Sequence, residues 1–127
     1  MSFKTISVIG LGYIGLPTAA MFASSKQKVI GVDVNQSVVD TINRGEIHIV
    51  EPKLNKLVKK VVTNSNLRAT TVAEESDVFI IAVPTPFIRN RENESPTPDI
   101  SFIEAACKNI AKVLKEGDLI ILESTSP

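Results

Sequence analysis

Three glycines fall within six residues of this chain, Gly10-Leu11-Gly12-Tyr13-Ile14-Gly15, and a carboxylate, Asp33, stands 18 positions past the last of them. The spelling G-x-G-x-x-G suits one kind of chemistry, the holding of a dinucleotide. Gly10 permits a sharp turn, Gly12 lets the backbone approach a pyrophosphate, and Gly15 lets a helix pack closely on a strand. The amides at the start of that helix, those of Tyr13 and Ile14 among them, then face the phosphates with the helix dipole behind them. Asp33 is placed to accept hydrogen bonds from the adenosine ribose hydroxyls. A carboxylate there repels a 2′-phosphate, and Val34 and Asn35 bring no Arg to receive one, so the expected cofactor is NAD rather than NADP. The glycine string alone is weak, because it also serves ligand-free turns. Nucleoside-binding methyltransferases carry a glycine-rich turn at the same place, although they have no pyrophosphate to cradle.

Context strengthens the motif. Thr5 to Ile9 reads as a β-rich run that stops at Gly10, Leu16 to Ala23 as a helix, and Lys28 to Asp33 as a second strand. Asn35 is placed to cap a helix that carries Val38, Val39 and Ile42 and closes near Gly45. Glu51-Pro52 opens another, with Leu54, Leu57, Val58 and Val61 on one face. A weaker strand follows near Leu67 to Thr70. Val78 to Val83 is apolar throughout, as a strand covered on both faces of a parallel sheet must be. Residues 84–98 hold four of the seven prolines and read as loop. Ser101 and Glu104 then form a capping-box pattern, Ile103, Ala106, Cys107, Ile110, Val113 and Leu114 make an apolar stripe, and Gly117 is placed to end that helix. Leu119 to Leu122 is the last strand. This alternation predicts a Rossmann-type, doubly wound α/β fold with at least four parallel strands and right-handed crossovers.

Composition bounds the rest. The 127 residues carry 14 basic and 14 acidic side chains, one His and one Cys. Zero net charge offers no footprint for nucleic acid or an anionic membrane. One Cys and one His make neither an internal disulfide nor a structural zinc site, and no metal is expected. The length suits one domain, residues 1–127, and not two. The uncharged stretch between Lys4 and Lys26 superficially resembles an export signal, but its glycines and Pro17 interrupt the apolar helix that such a signal needs. A reduced, cytoplasmic setting is expected.

Beyond the glycine turn, the wording Gly-Leu-Gly-Tyr-Ile-Gly-Leu-Pro-Thr at 10–18, Glu51-Pro52, Val83-Pro84-Thr85-Pro86 and the ending Glu123-Ser124-Thr125-Ser126-Pro127 resembles the N-terminal part of the UDP-glucose/GDP-mannose dehydrogenase family. The resemblance covers essentially the whole chain. It implies an NAD-dependent, four-electron oxidation of a nucleotide-sugar C6 alcohol to a carboxylate, feeding surface-polysaccharide synthesis. By the same resemblance Thr85 and Thr125 contact the cofactor near its ribose and nicotinamide, the complete enzyme takes a UDP-sugar substrate and forms a homodimer, and the nucleophilic cysteine, a central helix and the UDP-sugar domain lie beyond residue 127. The chain alone is then expected to contain no catalytic residue and to be inactive. UDP-glucose oxidation and a stand-alone, non-catalytic NAD module remain the alternatives.

The remaining candidates carry less. Cys107, on the apolar stripe, is expected to be a buried hydrophobe without a base to ionise it. His48 could titrate near neutrality but sits in a connecting segment, where a local structural role or a substrate contact is favoured over general-base work. Lys53, Lys56, Lys59 and Lys60 read as a solvated helix face. Arg89 and Arg91 alternate with Glu92 and Glu94 in the proline-bounded loop, either a flap over the site or a tolerated insertion. The Tyr13 ring is placed to line the cofactor or substrate cleft.

Overall fold

A computed structural model describes residues 4–88, 95 and 97–123. Five parallel strands form one sheet: β1 (Thr5–Ile9), β2 (Lys28–Val32), β3 (Leu67–Thr70), β4 (Val78–Ile81) and β7 (Leu119–Leu122). Their order is β3-β2-β1-β4-β7. Two short strands, β5 (Phe87–Ile88) and β6 (Thr97–Pro98), pair antiparallel inside the stretch expected to be plain loop. Arg89, Arg91, Glu92 and Glu94 lie outside the described residues.

Helices α1 (Gly15–Ser24), α2 (Gln36–Asn43) and α3 (Leu54–Thr63) join the first three strands, and α4 (Ser101–Ala111) precedes β7. The sheet separates two apolar clusters. On one face Val8, Leu16, Ala20, Ile42, Val58 and Ile80 pack with α1, α2 and α3; on the other Ile9, Val32, Phe79 and Ile81 pack with Ala106 and Ile110 of α4. β4 is buried at every position, as its unbroken apolar run requires.

At α2 the local details match the sequence expectation, and elsewhere several differ. Asn35 caps α2, accepting from the Ser37 N–H at 3.0 Å, and Gly45 follows the helix at φ +77°. At α4, however, the Asp99 carboxylate accepts from the Ser101 N–H at 2.9 Å, and no side-chain cap comes from Ser101. That helix ends at Ala111, so Leu114 is exposed, and Gly117 (φ +91°) turns the chain into β7 instead of ending the helix. Pro52 lies in a turn ahead of α3, with Lys53 in the left-handed region at φ +71°. Cys107 is exposed, not core. Only Ala106 and Ile110 of α4 are buried, a contact too narrow to cover the whole stripe. β7, though entirely apolar, is exposed along its length.

A carboxylate ties β1 to β4. Oδ2 of Asp77 accepts the backbone N–H of Thr5 at 3.0 Å and of Lys4 at 2.8 Å, and these bonds, Thr5's first, hold its pKa below the ordinary 3.8. A folded-state pKa lowered in this way contributes stability above the unfolded value and loses it as pH falls through the folded one. Asp77→Asn is therefore expected to be less stable than wild type at pH 7, with the gap closing as pH falls below about 4. Urea unfolding across that range measures it.

Candidate cofactor site

The sheet order makes β1 the turning point, since the chain winds out from it to β2 and β3, then returns to β4 on its other side. Open parallel sheets bind ligands outside the carboxyl ends of the strands at such a point. Gly10 leaves β1 at φ +96°, and a Cβ there would meet the Ala82 carbonyl oxygen at 2.9 Å. The loop is pinned to β2: Gly10 N–H donates to Val32 O at 2.7 Å, and Leu11 N–H to Asp33 Oδ2 at 3.0 Å. Leu11 is itself buried over Gly31, where a Cβ would stand 2.9 Å from its methyls, so Gly31 belongs to this turn as much as the motif glycines do.

Asp33 is half-buried, and its other oxygen accepts the Asn35 N–H at 3.0 Å. Each carboxylate oxygen still has acceptor capacity. The residue first holds the protein's own backbone and has room left for a hydroxyl. At the start of α1 no side chain caps the helix. Among the described residues the amides of Gly12, Tyr13 and Ile14 donate to no protein acceptor. Free donors at the positive end of a helix make an anion site.

These groups open onto a cavity of about 540 Å³. Residues 9–14, 32–34 and 82–84 form its rim, and Phe102, Ala105, Ala106 and Asn109 of α4 form a wall. The walls are mainly apolar, with polar side-chain groups from Tyr13, Asp33 and Asn109. Asn109 is held by the Ala73 N–H, which donates to its Oδ1 at 3.3 Å. Such a cavity fits a flat aromatic base beside a sugar and a diphosphate.

Gly10, Gly12, Tyr13, Ile14 and Asp33 all line this cavity, and Gly15, buried beneath them, does not. Tyr13 is 62% exposed and also borders a shallower cleft with Pro17, Glu51 and Leu54. Thr85 is half-buried one residue past Pro84, adjoining the lining without being part of it. Thr125 lies outside the described residues. His48 is exposed and borders neither cavity. The α4 wall was not anticipated from sequence, although Phe102, Ala105, Ala106 and Asn109 have the spacing of one helix face. Among the described residues no helix is long and apolar enough to cross a membrane.

Residues 4–127 match the profile of the UDP-glucose/GDP-mannose dehydrogenase family, NAD binding domain. The chain is 64% identical over its whole length to UDP-N-acetyl-D-mannosamine dehydrogenase of Salmonella typhi, and 61% identical to NDP-N-acetyl-D-galactosaminuronic acid dehydrogenase of Ralstonia nicotianae, covering 29% of each. Among solved structures it resembles UDP-N-acetyl-mannosamine dehydrogenase of Staphylococcus aureus, at TM-score 0.87 and 45% identity over 95% of this chain and 29% of that one. It also resembles GDP-mannose dehydrogenase of Pseudomonas aeruginosa, at TM-score 0.86 and 34% identity over 95% of this chain and 28% of that one. The chain thus spans under a third of the length of these relatives.

Proposed function

Because the chain belongs to the UDP-glucose/GDP-mannose dehydrogenase family, as its NAD-binding domain, we propose that it holds NAD along the carboxyl edge of its sheet for the oxidation of UDP-N-acetyl-D-mannosamine at C6. The product is the uronate, formed with two NAD per sugar. The observation that carries the cofactor placement is Gly12. A Cβ there would meet nothing in the protein within 4 Å, and its φ is not in the left-handed region. The fold does not need a glycine at that point, whereas a closely approaching ligand does.

The pyrophosphate takes the free amides of Tyr13 and Ile14, the adenosine ribose takes Asp33, and the adenine lies against Phe102 and Asn109. Gly10 and Gly15 hold the loop in shape. Thr85, after β4, serves the nicotinamide side, and the family resemblance gives Thr125 the same role. The bound cofactor supplies the hydride acceptor; this chain's residues bind it, orient it and present its anionic part to the helix end. Cys107 has no part in the chemistry, and a chain with one cysteine and no internal disulfide suits a cytoplasmic setting. The complete enzyme takes a UDP-sugar and works as a homodimer.

The identity to a galactosaminuronate-related dehydrogenase favours a second reading of the sugar, since a cofactor domain this similar serves more than one substrate name. A substrate panel on the complete protein, with UDP-glucose included, separates the readings.

Calorimetric titration of the 127-residue chain with NAD is expected to show one site. Asp33→Ala is expected to weaken it by more than about 1 kcal/mol, the scale of a hydrogen bond to a charged group. Unchanged affinity would remove Asp33 from the ribose. Mixed with NAD and UDP-N-acetyl-D-mannosamine, the chain is expected to form no NADH, and sustained turnover would show that the chemistry has been misplaced.

A further inference from the structure

One carboxylate at the carboxyl edge of the sheet has no task in the scheme above. Glu123 follows β7, and its N–H donates to Ile81 O at 2.8 Å, which seats it beside the end of β4. Its side chain is aimed by α1: Thr18 Oγ1–H donates to Glu123 Oε1 at 2.6 Å. The residue is half-buried, and among the described residues no Lys or Arg pairs with it. The Thr18 hydroxyl leaves this carboxylate with acceptor capacity to spare, and a positive group is its natural complement.

The sheet indicates what that partner is, provided the cofactor reading above holds. Asp33, Gly10, Ala82 and Glu123 stand at the carboxyl ends of β2, β1, β4 and β7, neighbours in that order. Parallel strands lie about 4.8 Å apart, so Asp33 and Glu123 are three strand steps, roughly 14 Å, from each other. A dinucleotide with its adenosine ribose on Asp33 and its diphosphate on the α1 amides extends its second nucleoside along β4 toward β7. In oxidised NAD that end is a pyridinium cation, and hydride uptake neutralises it. We propose that Glu123, positioned by Thr18, is the counter-charge to the oxidised nicotinamide ring and biases this site toward NAD⁺ over NADH. Such a bias favours release of the reduced cofactor, which an oxidation using two NAD per sugar requires.

The test is the affinity of the chain for both forms, measured by calorimetry at low salt. Glu123→Gln is expected to raise the Kd for NAD⁺ about fivefold relative to that for NADH, the effect of removing one nearby charge in a half-solvated site. Glu123→Asp, which keeps the charge, is expected to retain most of the preference. Thr18→Val is expected to reduce it and Thr18→Ser to restore it. Added salt is expected to shrink the difference between wild type and Glu123→Gln. If the amide variant does not fold by circular dichroism, Glu123→Ala carries the same expectation. Binding of both forms with an unchanged ratio in the folded variant would overturn the role of Glu123. Binding of neither form to the wild-type chain would overturn the cofactor reading itself.

Discussion

Gly12→Val is expected to weaken NAD binding at least about 100-fold, or 2.7 kcal/mol, while the unfolding free energy from urea denaturation changes by no more than about 0.5 kcal/mol. The two halves of this result have separate physical sources. Nothing in the protein lies within 4 Å of a Cβ at Gly12, and its φ is open to any L-residue, so the folded chain accommodates the larger side chain and gains a little from a stiffer unfolded state. On the proposed placement of the cofactor, the same side chain stands beside the unpartnered amides of Tyr13 and Ile14 and obstructs the close approach of the diphosphate to them. Calorimetry and urea unfolding on one preparation read both. A large loss of stability would mean that the glycine serves the fold, and retained affinity would place the diphosphate elsewhere.

Gly15→Ala is expected to do the reverse, costing more than about 4 kcal/mol of stability, a large share of the roughly 5–15 kcal/mol that holds a domain folded. A Cβ there would overlap the Gly10 carbonyl oxygen outright and stand 2.8 Å from the Gly10 carbonyl carbon and 3.3 Å from the Ala82 Cβ. Backbone cannot retreat as a flexible side chain can. The first turn of α1 would have to lift away from β1 and β4, taking the buried Leu16, Ala19 and Ala20 with it. NAD affinity is expected to fall with the fold, so urea unfolding is the measurement that decides. An unfolding free energy within about 1 kcal/mol of wild type would show that the turn can relax. Three glycines that look alike in sequence therefore divide in their surroundings: Gly10 and Gly15 are crowded by protein atoms, whereas a Cβ at Gly12 would meet none within 4 Å.

Much of this was legible from residue order because the relevant contacts are local. Gly10 to Gly15, the first two strands and Asp33 fall within one β-α-β unit, where spacing and geometry are closely coupled. The Asn35 cap and the Gly45 turn are legible for the same reason. Where two residues compete for one local role, sequence was a poorer guide. Asp99 and Ser101 are both good helix caps, and the Ser101 N–H bonded the carboxylate two residues before it. Cys107 fails differently. Periodicity puts it on a stripe with Ala106 and Ile110, but the width of a stripe that is buried depends on how much sheet lies opposite, which no single helix encodes.

The sequence by itself determined the order of the helices and of the five parallel strands, the glycine turn and the acidic residue that faces it, though not the short β5–β6 pair, because each follows from hydrophobic period, turn chemistry and spacing within about thirty residues. Only the tertiary structure decided which glycine the fold can spare, that Asp33 holds the Leu11 and Asn35 amides, that α4 walls the cavity with Phe102 and Asn109, and that Thr18 aims Glu123 across 105 positions of chain. Those are properties of free space and of contacts between distant segments. They exist only once β1, β4 and β7 lie side by side and bring their carboxyl ends to one edge.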